Sequence, residues 1–361
     1  MNRFDDPSEV PDEPPLPGEP GPAGGSDTPA TPEKDRPEEP AGPDLPDRLR
    51  PLGAGGAAHE RPSGRPGRPL GPIAAHVSSA HRAWLGPVRE AYLAARLSSG
   101  LTMSRLGEAL YISNSKISEL LSGKLYPRWE LLYDVAVALD VSVWPLYRLW
   151  RQAALEMQNK SRAWIEKSSA ARGTMMATRA TPPMELSAFR EITEGGYRLY
   201  AGVFLLTGSC DAALEETYDQ LWLSWDQALA SHDTRRYAFT VLRTAVMART
   251  PHIDGRPEFS EAAFDTIALQ NATDAGEAAE QVAETMALFK AMSRLPDNQL
   301  DVMVLRVLHG MTHEDVSHFL GQPLPKVRSD ERHAIRFLED TLSPPFPDEE
   351  PPFPDEEGDQ P

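Results

Sequence analysis

The sequence predicts an all-α protein, because apolar residues recur at spacings of three and four over most of the chain between residues 85 and 342. Ser or Thr residues placed to cap helices precede several of these runs, and Gly follows some of them. Residues 1–75 differ, since they hold 18 of the 35 prolines and almost no aromatic or β-branched residues. Such a segment cannot bury enough apolar surface to fold, so we predict that it is disordered.

Charge is distributed unevenly along the chain, whose net charge is −18. Residues 76–185 carry a net charge of +5, whereas residues 186–361 carry −17. The basic part suits a polyanion such as double-stranded DNA, because neutralising phosphates supplies most non-specific nucleic-acid affinity. DNA would repel the acidic part as a whole, and we expect its partners to be proteins.

Several classes of protein are disfavoured by the sequence. Cys210 is the single cysteine, which excludes a disulfide framework and a cysteine-based metal site. The N-terminus has neither the charged nor the apolar region of a secretion signal, and no apolar run approaches the roughly 18 residues of a membrane span. We therefore expect a cytoplasmic protein without a membrane partner. Nucleotide-binding loops and serine elbows are missing, so we expect no enzyme, cofactor or metal.

A helix-turn-helix is predicted inside the basic part, within a domain that spans residues 85–150. Thr102 is placed to cap a helix from Met103 to Leu110. Ser113 is placed to cap a second helix that starts at Asn114 and ends before Gly123. A third helix, near residues 129–139, is expected to pack across both.

These residues resemble the Cro/repressor-type helix-turn-helix family, on the strength of "LGEAL" at 106–110, "ISNSKIS" at 112–118 and "AVALDVS" at 136–142. The resemblance implies a five-helix DNA-binding domain in which the exposed start of the second helix touches base edges. Its implied DNA contacts are Ser113, Asn114, Ser115, Lys116 and Glu119. Lys124 and Arg128, just past the helix, are suited to hold phosphates. A purely structural capping role for Ser113 and Asn114 stays open. Tyr111 departs from the family, which usually has Gly at that turn position.

A basic helix and a linker are predicted over residues 151–186. The helix is expected to continue from the DNA-binding domain to about Lys167. Its basic outer face, which includes Arg148, is expected to be solvated or to follow the DNA backbone. The residues from 169 onward lack periodicity, which is typical of a linker.

Residues 187–249 predict two long amphipathic helices separated at 207–209, followed by a third helix. The segments "FLLTG" at 204–208 and "RRYAFTVLRTAV" at 235–246 are similar to region 2 of extracytoplasmic-function sigma factors. That similarity implies binding to the RNA polymerase clamp, with Glu215, Glu216 and Asp219 as candidate polymerase contacts. The aromatic and Arg-rich tail with which the family opens promoters is missing after Ala248.

A spacer over residues 250–285 leads to residues 286–342, which look like region 4 of the same family. Thr312 caps "HEDVSHFLG", and the following helix carries Pro323 and Val327 at the expected positions. A second helix-turn-helix is thus implied, with Lys326, Arg328, Arg332 and Arg336 as candidate DNA contacts. Asp330 and Glu331 lie in the middle of the recognition helix, where we expect carboxylates to oppose phosphate contacts. A protein-facing role is favoured, and promoter reading, including acidic contacts to cytosine, stays open.

The sequence as a whole predicts a bacterial transcription regulator with an N-terminal Cro/repressor-type domain and two small sigma-like helical domains. A disordered acidic tail over residues 343–361, with a duplicated "PPFPDEE", ends the chain. The first domain would select the DNA site, and the sigma-like half would contact RNA polymerase or another protein. A working sigma factor and a protein adaptor built on degenerate DNA-binding folds are the alternatives. RNA polymerase core is a candidate partner, and a homodimer is left open.

Overall fold

A computed structural model describes residues 70–156, 160–170, 181–261, 263 and 278–342. Residues 1–69 and 343–361 of the predicted disordered segments lie outside these residues, as do residues 262 and 264–277 of the predicted spacer. The predicted disorder is wrong for residues 70–75, because Leu70, Ile73 and Ala74 pack against the N-terminal core. Within the described ranges the chain is helical apart from one short hairpin, which confirms the predicted all-α fold. None of the helices in those ranges is both long enough and apolar enough to cross a membrane.

The N-terminal part of the described chain forms a six-helix body. Its helices are α1 (Ser79–Ser99), α2 (Met103–Leu110), α3 (Asn114–Leu121), α4 (Trp129–Ala138), α5 (Val143–Glu156) and α6 (Arg162–Ser169). The predicted caps are present, since the hydroxyls of Thr102 and Ser113 accept hydrogen bonds from backbone N–H groups three residues later. Each cap satisfies one of the amides that a helix start leaves unpaired.

The prediction that one helix continues to about Lys167 is wrong. The α5 helix is described to Glu156, and a separate helix, α6, begins at Arg162. The break is explained by Ser161, which has extended backbone and accepts a hydrogen bond from the N–H of Trp164. The hydroxyl of Ser168 then accepts from the N–H of Trp129 at 2.7 Å, which fixes α6 against α4.

Aromatic residues fill the core of this body. Trp84, Trp129 and Trp150 are fully buried, and the ring centroids of Trp129 and Trp150 are 5.5 Å apart. Large rings bury much apolar surface per residue, so a small helical domain can be stabilised by a few of them. Leu106, Ile117, Leu120 and Leu121 belong to the same core, and they anchor α2 and α3 beneath their exposed faces.

The remaining helices form a second body. They are α7 (Met184–Gly202), α8 (Thr207–Leu223), α9 (Trp225–Ala230), α10 (Thr234–Met247), α11 (Ala278–Met292), α12 (Asp297–Met303), α13 (His313–Leu320) and α14 (Leu324–Leu342). Thr207 starts α8 rather than lying in the break, which falls at 203–206. A π-helical turn, Val304–Leu308, extends α12.

A short hairpin follows α10, at the place where the sequence lacks the promoter-opening tail. Its strands, β1 (His252–Ile253) and β2 (Arg256–Pro257), pair antiparallel. Asp254 and Gly255 form the turn, and both have positive φ. This Asp-Gly pair suits a two-residue hairpin turn, because such turns need left-handed backbone at their central residues.

One continuous core runs through helices α7 to α14. The ring of Phe319 in α13 packs edge-on against Tyr197 in α7 and Phe239 in α10, at centroid distances of 5.5 and 5.8 Å. Phe259, after the hairpin, contacts both Phe204 and Phe289. The helices on the two sides of the predicted spacer therefore pack as one body.

Candidate nucleic-acid interface

Two helix-turn-helix motifs with the same spacing of cap, turn and recognition helix occur among the described residues. The first motif consists of α2 and α3, and the second motif consists of α13 and α14. In each, an eight-residue helix is capped by Thr and ends at a residue with left-handed backbone. The recognition helix starts three residues after that left-handed position, at Asn114 and Leu324. Equivalent residues therefore differ by a constant 210 in number.

The buried positions of the two motifs also correspond. Leu106 and Ile117 of the first motif match Val316 and Val327 of the second motif, and all four are buried. The helices of the two motifs therefore bury corresponding positions. The equivalence allows the exposed positions to be compared one by one.

The structure places every predicted DNA contact of the first motif on the protein surface. Asn114 begins α3, where its Nδ2 donates to the hydroxyl of Ser104 at 2.9 Å. The Ser115 hydroxyl lies 3.4 Å from a carboxylate oxygen of Glu119. The exposed set is Ser113, Asn114, Ser115, Lys116, Glu119, Lys124 and Arg128. Whether these side chains touch DNA stays a prediction.

The cations of the first motif are available to an outside anion. Lys116, Lys124 and Arg128 make no ion pair with any residue in the described ranges. An unpaired exposed cation loses little when it binds a phosphate, because no internal partner has to be released. The three residues are therefore suited to hold a DNA backbone.

The second motif is different at the same positions. Leu324 and Pro325 stand where Asn114 and Ser115 stand in the first motif, and neither side chain can hydrogen-bond a base edge. Lys326, the equivalent of Lys116, forms an ion pair with Asp330 at 2.7 Å. Arg328 lies 3.3 Å from Glu314. Arg332 and Arg336, the other two predicted contacts, are exposed.

Asp330 and Glu331 do not face phosphates, which corrects the expectation from the sequence. Asp330 is buried and accepts hydrogen bonds from Lys326 and, at 2.9 Å, from Nδ2 of Asn298. The Glu331 carboxylate accepts from Arg306 at 2.8 Å and contacts His313. Burial alone would raise the pKa of Glu331, but hydrogen bonds from Arg306 and His313 hold it below its ordinary value.

The register explains this inward position. Asp330 and Glu331 correspond to Leu120 and Leu121, which are both buried beneath the first recognition helix. The second motif thus uses internal ion pairs where the first motif uses leucine. The inward position of Asp330 and Glu331 was not predicted from the sequence, although aligning the two motifs would have indicated it.

The turn of the second motif is packed against the start of α10. A Cβ atom on Gly321 would lie 2.9 Å from Cα of Arg236, and closer still to the Arg236 nitrogen and the Asp233 carboxylate. A Cβ on Gly196 would lie 2.8 Å from the Phe319 ring. Two glycines therefore permit the close approach of α13 to α7 and α10.

The candidate polymerase contacts on α8 face the N-terminal body. Nε of Arg148 lies 2.9 Å from Asp219, and Arg148 also pairs with Glu215. Glu216 pairs with Arg249 at 2.6 Å. Glu216 and Asp219 are only 3% and 6% exposed, so neither is accessible to polymerase in this arrangement, whereas Glu215 is partly exposed. The expectation that Arg148 lies on a solvated outer face, or follows the DNA backbone, is therefore wrong.

Comparison with known families bears on the second motif. Residues 291–339 match the protein-family model described as Sigma-70, region 4. The match covers the end of α11 to most of α14, and it confirms the predicted sigma-like helix-turn-helix. The chain therefore carries a DNA-binding, transcription-related type of motif in this segment. No curated protein and no solved structure shows significant similarity to the chain. The Cro/repressor and region 2 resemblances stay predictions.

Proposed function

We propose that the chain is a bacterial transcription regulator whose first motif holds double-stranded DNA and whose sigma-like half, helices α7 to α14, contacts RNA polymerase or another protein. The observation that carries this proposal is the contrast between Lys116 and Lys326. The two lysines occupy equivalent positions, but Lys116 is unpaired among the described residues and Lys326 is bound to Asp330. The regulator needs no catalytic activity for this role.

The first motif is the better DNA reader on chemical grounds. Asn114 offers the amide that can make a bidentate contact to adenine, and Glu119 can accept from cytosine. Lys116, Lys124 and Arg128 supply backbone cations close to α3. The second motif presents Leu324 and Pro325 at the equivalent reading positions, which favours contact with a protein.

A working sigma factor is the second candidate, because the Sigma-70, region 4 match covers the second motif. Such a factor would have to read one promoter element with α14 and open another with the α10 region. The continuous core between α10 and α13 opposes separate placement of these parts. The short Asp-Gly hairpin after α10 also supplies few groups for holding unpaired bases. A protein adaptor that binds no DNA is the remaining alternative.

The DNA-binding proposal is tested by measuring the affinity of the full chain for a pool of random-sequence duplexes at several salt concentrations. Lys116→Ala is expected to weaken binding and to reduce the salt slope by about one. The matched control is Lys326→Ala, which alters the equivalent lysine and is expected to leave the slope unchanged. No affinity at low salt, or a larger effect of the control, contradicts the proposal.

Run-off transcription with core polymerase separates the regulator from the sigma factor. The regulator is expected to give no transcript when it is the only specificity factor present. A promoter-specific transcript from the chain and core polymerase alone would establish the sigma factor instead.

A further inference from the structure

The contact between α5 and α8 is a second surface, separate from the DNA-reading face of the first motif. Three residues of α5, at a spacing of four, line one side of it: Arg148, Gln152 and Glu156. The other side is the acidic face of α8, which we define as Glu215, Glu216 and Asp219. A spacing of four places side chains on one stripe of a helix, so the two stripes meet along their length.

The polar contacts across this surface are specific. Arg148 joins Asp219 and Glu215, and Nε2 of Gln152 donates to Glu216 at 3.3 Å. Arg249 bridges both sides, because its guanidinium lies 2.6 Å from Glu216 and 3.6 Å from Glu156. Every carboxylate of the acidic face thus has a cation within ion-pair distance.

Burial makes the loss of these ion pairs energetically costly. Glu216 and Asp219 are almost fully buried, and a buried carboxylate that loses its cation is strongly unfavourable. The other side of α5 is fixed in the first core, where Leu149 and Trp150 are fully buried. The α5 helix therefore leaves α8 only together with the body that carries the first motif.

We propose that α5 covers a protein-binding face of α8, so that the DNA-binding body and a basic helical surface of another protein compete for Glu215, Glu216 and Asp219. The chemistry of α5 defines the competitor, which would present an arginine followed by an amide one helical turn later. The choice of core RNA polymerase as the competitor rests on the proposed function. The closed contact itself does not.

Competition follows from the geometry, because one carboxylate face cannot be buried under two helices at once. While α5 is in place, the acidic face offers an outside protein little beyond the edge of Glu215. Uncovering the face leaves Glu216 paired with Arg249 and Glu215 paired with Arg190, but Asp219 loses Arg148 and then needs a new cation. The closed arrangement therefore lowers the affinity of the sigma-like half for a basic partner, and separation raises it.

The closed contact is tested on the full chain by hydrogen exchange of the α8 amides. Arg148→Glu places a carboxylate against the acidic face and is expected to speed α8 exchange by at least about tenfold. The matched control is Arg151→Glu, which makes the same charge change on the same helix. Arg151 is exposed and makes no ion pair with any residue in the described ranges. Equal exchange in both variants would overturn the contact.

A rescue variant guards against simple misfolding. Arg148→Glu combined with Glu215→Arg restores an ion pair in reversed orientation, and Glu215 is exposed enough to accept the larger side chain. The double variant is expected to recover most of the α8 protection. Failure to recover it, with helicity unchanged by circular dichroism, would overturn the pairing.

Competition is tested with purified core RNA polymerase as the probe. Arg148→Glu is expected to bind the core at least about tenfold more tightly than the wild type, and Arg151→Glu is expected to match the wild type. An Arg148→Glu chain with fast α8 exchange and no gain in core binding would overturn the competition. DNA affinity is measured on the same samples. A wild-type chain without DNA affinity would contradict the proposed function. The hydrogen-exchange results would still show whether α5 packs on α8.

Discussion

Tyr111 and Gly321 occupy the same position in the two helix-turn-helix motifs, and both have left-handed backbone, with φ of 54° and 60°. Glycine adopts this conformation without steric cost, whereas a residue with a Cβ atom is strained by roughly 1–2 kcal/mol. Tyr111 is 77% exposed, so it makes few contacts that could offset the strain. The first motif therefore has a strained turn where the second motif has a relaxed one.

Tyr111→Gly is expected to stabilise the protein by about 0.5–1 kcal/mol, because relief of the strain exceeds the extra flexibility that glycine gives the unfolded chain. The stability of Tyr111→Asn is expected to lie between those of the wild type and the glycine variant, since Asn tolerates left-handed backbone. Urea unfolding of the three proteins measures this order. A lower midpoint for the glycine variant would show that Tyr111 makes stabilising contacts after all.

Gly321→Ala is expected to destabilise the protein by about 2 kcal/mol or more, because its Cβ would meet the backbone of Arg236 in addition to requiring strained φ. Gly310→Ala is the matched control. Gly310 has φ of 61°, and its Cβ would meet nothing within 4 Å. The control should therefore show the backbone cost alone, about 1 kcal/mol. If thermal unfolding showed the same loss of stability for both variants, the turn would not be packed against α10.

The pH dependence of stability should carry a contribution from Asp219. Burial raises the pKa of Asp219 to about 7, although Arg148 and Arg190 lower it, and Glu215 and Glu216 raise it further. The folded chain thus holds this proton more tightly than the unfolded chain. The resulting stability is complete below the ordinary carboxyl pKa, and it is lost as the pH rises towards 7.

The comparison with Asp219→Asn isolates this contribution, because asparagine resembles the protonated carboxyl and does not titrate. Between about pH 4 and pH 7 the wild type should lose stability relative to the variant by up to about 1.4 kcal/mol per pH unit. Urea unfolding at several pH values measures the difference. A constant difference across this range would contradict the raised pKa.

Arg243→Met is expected to cost about 3–5 kcal/mol of folding free energy, because it leaves the buried Asp301 carboxylate without its cation. Nε of Arg243 lies 2.8 Å from Asp301, and the Tyr200 hydroxyl also donates to this carboxylate at 2.7 Å. Arg236→Met serves as control, since Arg236 is exposed on the same helix. Thermal denaturation of both variants gives the comparison, and equal losses would argue against a structural role of the pair.

Local patterns in the sequence predicted the local features of this structure. Thr102, Ser113 and Thr312 cap their helices as expected, because capping depends on a hydroxyl and the amide three residues later. The exposure of Asn114 and Lys116 also follows from the helical period once Ile117 is placed in the core. These inferences need no knowledge of distant parts of the chain.

The contacts between distant elements could not be predicted in the same way. Arg148 and Asp219 meet because α5 packs on α8, and nothing in either helix alone specifies that partner. The position of Asp330 was predicted wrongly, because a carboxylate in the middle of a recognition helix was expected to lie on the phosphate-facing side. Its inward position depends on Asn298, which comes from α12 and is remote in sequence.

The aromatic seam between Phe319, Tyr197 and Phe239 has a consequence for how this chain can evolve. Mutations on the exposed face of α14 leave the seam intact, so they can change what this helix contacts without unfolding the protein. Mutations at Phe319 would instead expose apolar rings on both α7 and α10. The packing of α13 on α7 and α10 is thus constrained separately from the exposed surface of α14, which can change without unfolding the protein.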